Sequence, residues 1–199
     1  AAMIIAELAA EAGVPPGVLN IVHGKHDTVN KILEDPRIKA ITFVGGDKAG
    51  KYIHEKGTFL GKRVQANLGA KNHLIVLPDA DKNHFINAVN GAAFGAAGQR
   101  CMAISVLVTV GEKTKKWVEE VAADAAQLKV GSGFDSSSDL GPLINPESLT
   151  KASEIIADSE KAGATVLLDG RNFKAADAKF AKGNFLGPTI LTNVKPGMR

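Results

Sequence analysis

The chain lacks a second cysteine: Cys101 is the only one in 199 residues. A lone thiol cannot close an internal disulfide, which excludes a disulfide scaffold, points to a reducing compartment and leaves the sulfur free for chemistry. Also missing is any run approaching the ~18 consecutive apolar residues of a bilayer-spanning helix, so no membrane span is expected. No charge of one sign dominates. Lys and Arg number 24 against 21 Asp and Glu, a formal charge of +3, and the two signs alternate. A nucleic-acid footprint is therefore not indicated, and the pair Lys115-Lys116 reads as a solvated helix face. Internal repeats and low-complexity tracts are absent. So is a charged leader: Ala1-Ala2-Met3-Ile4-Ile5 opens inside an apolar helical pattern, which predicts a piece of something longer and not a secretory or transit peptide.

What is present is an ordinary globular composition, 45% hydrophobic and 23% charged, enough for one large domain or two small ones with real cores. Apolar spacing predicts a helix over 3–12, closed by Gly13, then a buried strand over 18–22. Asp27 is expected to cap a helix to about Glu34, followed by a β-branched strand over 38–44. The Gly45-Gly46 turn leads to a helix capped by Asp47 and running to about Glu55, then to a strand over 62–66. Strand alternating with helix is the grammar of a parallel, doubly wound α/β sheet.

After Gly69-Ala70 the texture changes to a second domain. It comprises a strand over 74–77, a helix from about Asp81 to Gly95, a strand over 104–110, helices over 113–128 and 147–161, and strands over 165–168 and 189–191. A polar glycine-rich loop occupies 131–139, and 172–182 reads as an exposed, alanine-rich excursion.

Three features could carry chemistry. Cys101 ends the run Gly91-Ala92-Ala93-Phe94-Gly95-Ala96-Ala97-Gly98-Gln99-Arg100, in which small residues permit close approach of backbone and ligand, and the adjacent Arg100 favours the nucleophilic thiolate. A buried filler thiol would need neither. Residues 43–50, with Gly45, Gly46 and Gly50, form a strand, a glycine turn and a helix N-terminus, a geometry that receives nucleotide phosphates. Asn67-Leu68-Gly69-Ala70-Lys71-Asn72-His73 stands where the last strand of the first domain hands over to the second, the place where open sheets bind ligands. The five histidines, His23, His26, His54, His73 and His84, match no zinc spacing, so no metal site is expected and surface or packing roles are assigned to them. Asp79 and Asp81 are read as helix-capping residues and not as a catalytic carboxylate pair.

In combination these residues resemble the aldehyde dehydrogenase superfamily. The resemblance rests on five ordered motifs: residues 12–22, residues 43–50, Gly98-Gln99-Arg100-Cys101, Asp139-Leu140-Gly141-Pro142-Leu143, and Gly183-Asn184-Phe185-Leu186-Gly187-Pro188-Thr189. It implies the end of a doubly wound parallel NAD-binding sheet over 1–69, with Gly45, Gly46, Gly50, Leu68 and Gly69 at the cofactor, followed by most of an α/β catalytic domain over 70–199. It implies Cys101 as the nucleophile that attacks an aldehyde. Only the middle portion of a full subunit is covered, which keeps open the alternative of a non-catalytic fragment.

One departure narrows the expectation. Most members of the family carry a glutamate at the Asn67 position, as general base for the water that hydrolyses the thioester. An asparagine cannot take up that proton, and the loss of such a base is typically worth about a hundred- to ten-thousand-fold. The resemblance then points to the acylating branch, in which coenzyme A, itself a thiol, collects the acyl group, with a hydrolytic enzyme as the alternative. Whether Asn67 positions the acyl carbonyl or tolerates the incoming thiol stays open. Arg100 fits a small semialdehyde bearing a carboxylate, because a charge-assisted pair is worth about 1.5–3 kcal/mol; pairing with a nearby acid is its alternative use. A homo-oligomer, a tetramer, is implied for the full-length protein, as is the mitochondrial matrix in a eukaryote or the cytoplasm in a bacterium.

Overall fold

Strands in this chain pair in twos, and each pair is built around a crossover or a return. The computed structural model describes residues 2–173, 175 and 178–198, and the α/β character expected from the alternation is what it shows. Two compact units result, Ala1–Gly69 and Ala70–Arg199.

In the first unit, α1 (Ala2–Glu11) precedes α2 (His26–Glu34), β1 (Ala40–Gly45), α3 (Asp47–Phe59) and β2 (Arg63–Leu68). Strands β1 and β2 are parallel, in a register that sets Ile41 against Val64, Phe43 against Ala66 and Gly45 against Leu68. Alternation puts Ile41, Phe43, Val64, Ala66 and Leu68 on the half-buried face, and α3 packs there through two glycines one heptad apart. A Cβ on Gly50 would come within 1.8 Å of Leu68 Cδ2, and one on Gly57 within 2.7 Å of Val64 Cγ2 and 3.4 Å of Leu33 Cδ2. The helix thus lies closer to the sheet than any side chain would permit. Leu33, 1% exposed, fills the space beside it. Lys62 is buried and its ammonium donates to the carbonyls of Asp35 (2.6 Å) and Ile38 (2.5 Å), satisfying the turn between α2 and β1.

A first expected result follows from this packing. Gly50→Ala gains helix propensity but forces Leu68 off its rotamer, and overpacking of this kind costs about 1–3 kcal/mol. Urea denaturation should show the loss as a lower midpoint, and a midpoint at or above the parent value would contradict the packing.

Three expectations are corrected here. Residues 18–22 form no strand: Val18 and Val22 are 70% and 69% exposed, and no ladder satisfies their backbone. A strand needs a neighbour to hydrogen-bond, and among the described residues of this unit β1 and β2 pair only with each other. Asp27 and Asp47 are not caps; the capping positions are Lys25 and Gly46, neither of which bonds through a side chain. Both aspartates lie in the first helical turn, where their charge still favours the positive end of the helix dipole. Helix α3 also continues past Glu55 to Phe59.

The second unit contains β3 (Asn72–Val76), α4 (Lys82–Phe94), β4 (Ile104–Thr109), α5 (Gly111–Ala125), α6 (Pro146–Lys161), β5 (Thr165–Leu168) and β6 (Ile190–Thr192). Asp81 caps α4 as expected, accepting the His84 backbone N–H at 2.7 Å. Strands β3 and β4 are parallel across the α4 crossover, and β5 and β6 are antiparallel. Val76, Phe85, Val89, Trp117 and Val121 form the core, with the Phe85 and Trp117 rings 5.6 Å apart. Lys115 and Lys116 are exposed, as a solvated face requires.

The 172–182 excursion is not wholly outward. Lys174, Ala176 and Asp177 lie outside the described residues, but Phe173 and Phe180 meet Phe185 edge-on at 5.9 and 6.4 Å. Nearby, Arg171 donates to both Asp169 oxygens and to Glu160, joining the end of β5 to α6, and these bonds hold the Asp169 carboxyl below its usual range.

Candidate functional site

Two places gather the residues singled out from the sequence, one in each unit. In the first unit they cluster at the carboxyl ends of β1 and β2. Gly45 closes β1 opposite Leu68, and the Gly69 N–H reaches the Gly45 carbonyl at 3.3 Å. Gly46 then opens α3 with no side chain capping the helix, so backbone N–H groups are left at its positive end. Gly69 takes φ +57°, and a Cβ there would fall 2.6 Å from Asp47 Oδ1, which accounts for a glycine at this position. Gly50 stands apart from this edge: it is buried inside α3 against Leu68. Asn67 is exposed, pairs with Val44 in register, and lies on the sheet face away from α3.

In the second unit the structure is organised around Cys101. Helix α4 ends at Phe94, and the next turn, Gly95–Gly98, contains three consecutive left-handed residues: Ala96 (φ 53°), Ala97 (φ 52°) and Gly98 (φ 71°). Left-handed alanines cost roughly 1–2 kcal/mol each, so this reversal is strained at two residues and only Gly98 adopts it without a Cβ penalty. Gly95 has a separate reason to lack a Cβ. A Cβ on it would meet the Arg100 guanidinium at 2.6 Å, so Arg100 folds back across the C-cap of α4, where the helix dipole is negative.

The chain then turns sharply. Ala103 N–H donates to the Arg100 carbonyl at 3.1 Å, which places Cys101 and Met102 at the two corners of a β-turn. Cys101 is exposed. Its backbone N–H has no acceptor among the described residues, and Arg100 has no carboxylate within ion-pairing distance among them. The alternative that Arg100 merely neutralises a neighbouring acid thus finds no acid among the described residues.

Two amides hold this turn, and the sequence reading gave neither a role. Asn72, at the start of β3, donates both Nδ2 hydrogens, to the carbonyls of Cys101 (2.8 Å) and Ala103 (2.9 Å). Gln99 donates through Nε2 to the carbonyls of Ala96 (3.1 Å) and Pro142 (3.3 Å), while its Oε1 accepts the Ile144 N–H at 2.9 Å. Both residues stand inside quoted motifs. No spacing rule links 72 to 101 or 99 to 144, so only the fold shows what they do.

Gln99 also explains why separated motifs belong together. It ties the cysteine turn to the loop after Gly141, and Leu143 N–H in that loop donates to the Asn184 carbonyl at 2.8 Å. Gly187 approaches Gly170 so closely that a Cβ on Gly170 would lie 1.9 Å from the Gly187 oxygen. The motifs at 98–101, 139–143 and 183–189 therefore form one hydrogen-bonded body. Beside it runs a groove of about 370 Å³ between Phe134, Ile144, Phe180 and Phe185.

Asn67 belongs to the first unit and Cys101 with Arg100 to the second. All five histidines are exposed. Among the described residues no three His, Cys, Asp or Glu side chains group as metal ligands, and no helix is long and apolar enough to cross a membrane.

The chain matches the aldehyde dehydrogenase family over residues 1–199. It is 52% identical over 198 residues to the human mitochondrial methylmalonate-semialdehyde/malonate-semialdehyde dehydrogenase [acylating], covering all of this chain and 36% of that protein. It is also 52% identical over 199 residues to the probable Dictyostelium discoideum counterpart, 37% of which is covered. Among solved structures, the methylmalonate-semialdehyde dehydrogenase of Oceanimonas doudoroffii superposes with a TM-score of 0.90 at 42% identity. A Sinorhizobium meliloti 1021 protein described as a methylmalonate-semialdehyde dehydrogenase, complexed with NAD, does so with 0.91 at 38% identity. In each case 98% of this chain and 40% of the other is covered. The chain thus spans little more than a third of the length of its curated relatives.

Proposed function

This chain belongs to the aldehyde dehydrogenase family, and from that premise we propose that it supplies the nucleophile and part of the cofactor edge of a CoA-acylating semialdehyde dehydrogenase. The substrate is methylmalonate or malonate semialdehyde. The observation that carries the reading is Cys101: an exposed thiol at the corner of a braced turn, whose own N–H has no acceptor among the described residues and can receive an oxyanion.

Each residue then has a task. Cys101 as thiolate adds to the aldehyde carbon, and its N–H stabilises the oxygen that becomes negative. Arg100, without an acid of its own among the described residues, faces the substrate carboxylate. Gly45, Gly46 and Gly69, with Leu68 beside them, leave room and backbone donors for a dinucleotide at the uncapped start of α3, and Gly50 serves by letting α3 lie against Leu68. A nicotinamide dinucleotide held at that edge would supply the acceptor for the hydride that leaves the substrate carbon. Cys101 is left holding a thioester, and Asn67, an amide, offers no base to water. The substrate carboxyl leaves as carbon dioxide, the α-carbon takes up a proton from solvent, and the resulting propionyl or acetyl group passes to the sulfur of coenzyme A, which gives up its thiol proton as the Cys101 sulfur is released.

The test compares NADH and product formation by the complete enzyme with and without coenzyme A. Acyl-CoA formation that depends on coenzyme A is expected; free acid at the same rate in both would favour the hydrolytic enzyme. For Arg100, replacement by leucine is expected to lower kcat/KM for the semialdehyde by about ten- to a hundredfold, the equivalent of a charge-assisted pair. Propanal, without a carboxylate, should be unaffected, and an equal loss on both would remove the assignment.

The same reading assigns residues 1–69 to the dinucleotide-binding domain and 70–199 to the catalytic domain. It places the complete protein in a homo-oligomer, a tetramer, in the mitochondrial matrix of a eukaryote or the cytoplasm of a bacterium. The curated relatives named mitochondrial support the first location.

A further inference from the structure

We infer that Asn72 and Gln99 are positioning residues that set the Cys101 turn for attack, acting from both sides of the thiol. The inference rests on the reading of Cys101 as nucleophile and adds to it the parts that aim the sulfur.

The turn cannot hold itself. It follows three left-handed residues, two of them alanines, and its corners are exposed. Such backbone persists only where the surroundings over-determine it. The turn's own contribution is one bond, Ala103 N–H to Arg100 carbonyl. Among the described residues, and apart from the β3–β4 ladder and the Gln99 N–H to Ala96, the polar ties at residues 99–103 come from the two amides. Gln99 fixes the approach by anchoring to residues 96, 142 and 144. Asn72 fixes the exit by gripping the carbonyls of residues 101 and 103.

Between these anchors lie only the peptides joining 99 to 100 and 100 to 101. The second carries the Cys101 N–H, the donor assigned to the oxyanion. Holding the Cys101 carbonyl sets ψ of that residue, and the approach from Gln99 limits its φ, so the directions of Sγ and of the N–H are fixed relative to each other. That pairing of nucleophile and oxyanion donor is what a tetrahedral addition requires.

The amide chemistry is specific at each side. Asn72 faces two carbonyl oxygens and must donate twice; a carboxylate would lose both bonds and bring a negative charge toward the sulfur. Gln99 must donate and accept, which neither leucine nor glutamate can do. The register of β3 and β4 places Asn72 opposite Ile104 and then shifts, so that His73 pairs with Val106 and Ser105 is left over. The extra residue falls one position beyond Ile104, close behind the turn that Asn72 holds.

The experiment uses the complete enzyme with Asn72→Leu, Asn72→Asp and Gln99→Leu. Active sites are first counted by the amplitude of the NADH burst, so that misfolded protein does not enter the rate. Per active site, the burst rate is expected to fall at least about tenfold in each variant, with KM for NAD within about twofold, since the cofactor edge is untouched. The pH dependence of iodoacetamide alkylation separates positioning from general destabilisation. Asn72→Asp should move the alkylation midpoint upward by about half a pH unit or more, through the nearby carboxylate, and Asn72→Leu should leave it in place.

Burst rates per site equal to the parent in Asn72→Leu and Gln99→Leu would overturn the inference, as would a lowered amplitude with no change in rate. If one variant fails to fold, the other decides. The reading of Cys101 is checked separately on the unmutated enzyme. If alkylating Cys101 there leaves the burst intact, the nucleophile assignment fails; if alkylation abolishes the burst and the variants still behave as the parent, only the role of the two amides fails.

Discussion

Replacing Cys101 by serine in the complete enzyme is expected to lower the rate of NADH formation by at least about a thousandfold. The reason lies in the nucleophile's acidity. A thiol is a far stronger acid than an alcohol and an intrinsically better nucleophile, whereas a serine hydroxyl needs an adjacent base. Among the described residues no carboxylate or imidazole is hydrogen-bonded at the turn, which is held by the amides Asn72 and Gln99 and carries the cation Arg100. Serine is close to cysteine in shape, so the braced turn, the Asn72 and Gln99 bonds and the fold should survive. Dissociation of NAD and the thermal midpoint should therefore match the parent, while the burst vanishes. A variant that retains a tenth of the parent rate would show that another group performs the addition.

The second large effect concerns how the acyl group leaves. Asn67→Glu is expected to raise acid formation in the absence of coenzyme A by about a hundredfold, because it supplies the carboxylate that activates water in most of the family. The fold should tolerate it. Asn67 is exposed, on the face of β2 opposite the α3 packing, and its register partner Val44 is exposed as well. An added methylene and a charge there displace no core residue. Assay of free acid in the presence of NAD, with coenzyme A omitted, measures the gain. If acid formation stays at the parent level while the burst remains, the choice between water and thiol is not made at residue 67.

Most elements were legible in the sequence because their signals are local. The β-branched run that became β1 and the helical spacing that became α5 and α6 report the face each element buries, and Asp81 reports a cap by its place before α4. Residues 18–22 carry the same apolar signal as a strand. What they lack is a partner, and pairing is not a local property. Asp27 and Asp47 were misplaced by one or two positions for a related reason: an aspartate is favoured both as a cap and in the first turn, and only the backbone path distinguishes them.

The candidate site shows the same division. Composition and local pattern were enough to single out the lone Cys101, the cation beside it and the glycine turn at Gly45 and Gly46; that Asn67 stands where the family has a base came from the resemblance. Those are statements about the chemistry of side chains, which a residue carries wherever it sits. The roles of Asn72, Gln99, Gly50 and Gly187 belong to the tertiary structure alone. Each depends on a contact between segments distant in the chain, in which an amide meets a carbonyl or a missing Cβ makes room for a neighbour. Hydrogen bonds and steric exclusion act over a few ångströms, so they come into being only when the fold has closed those distances.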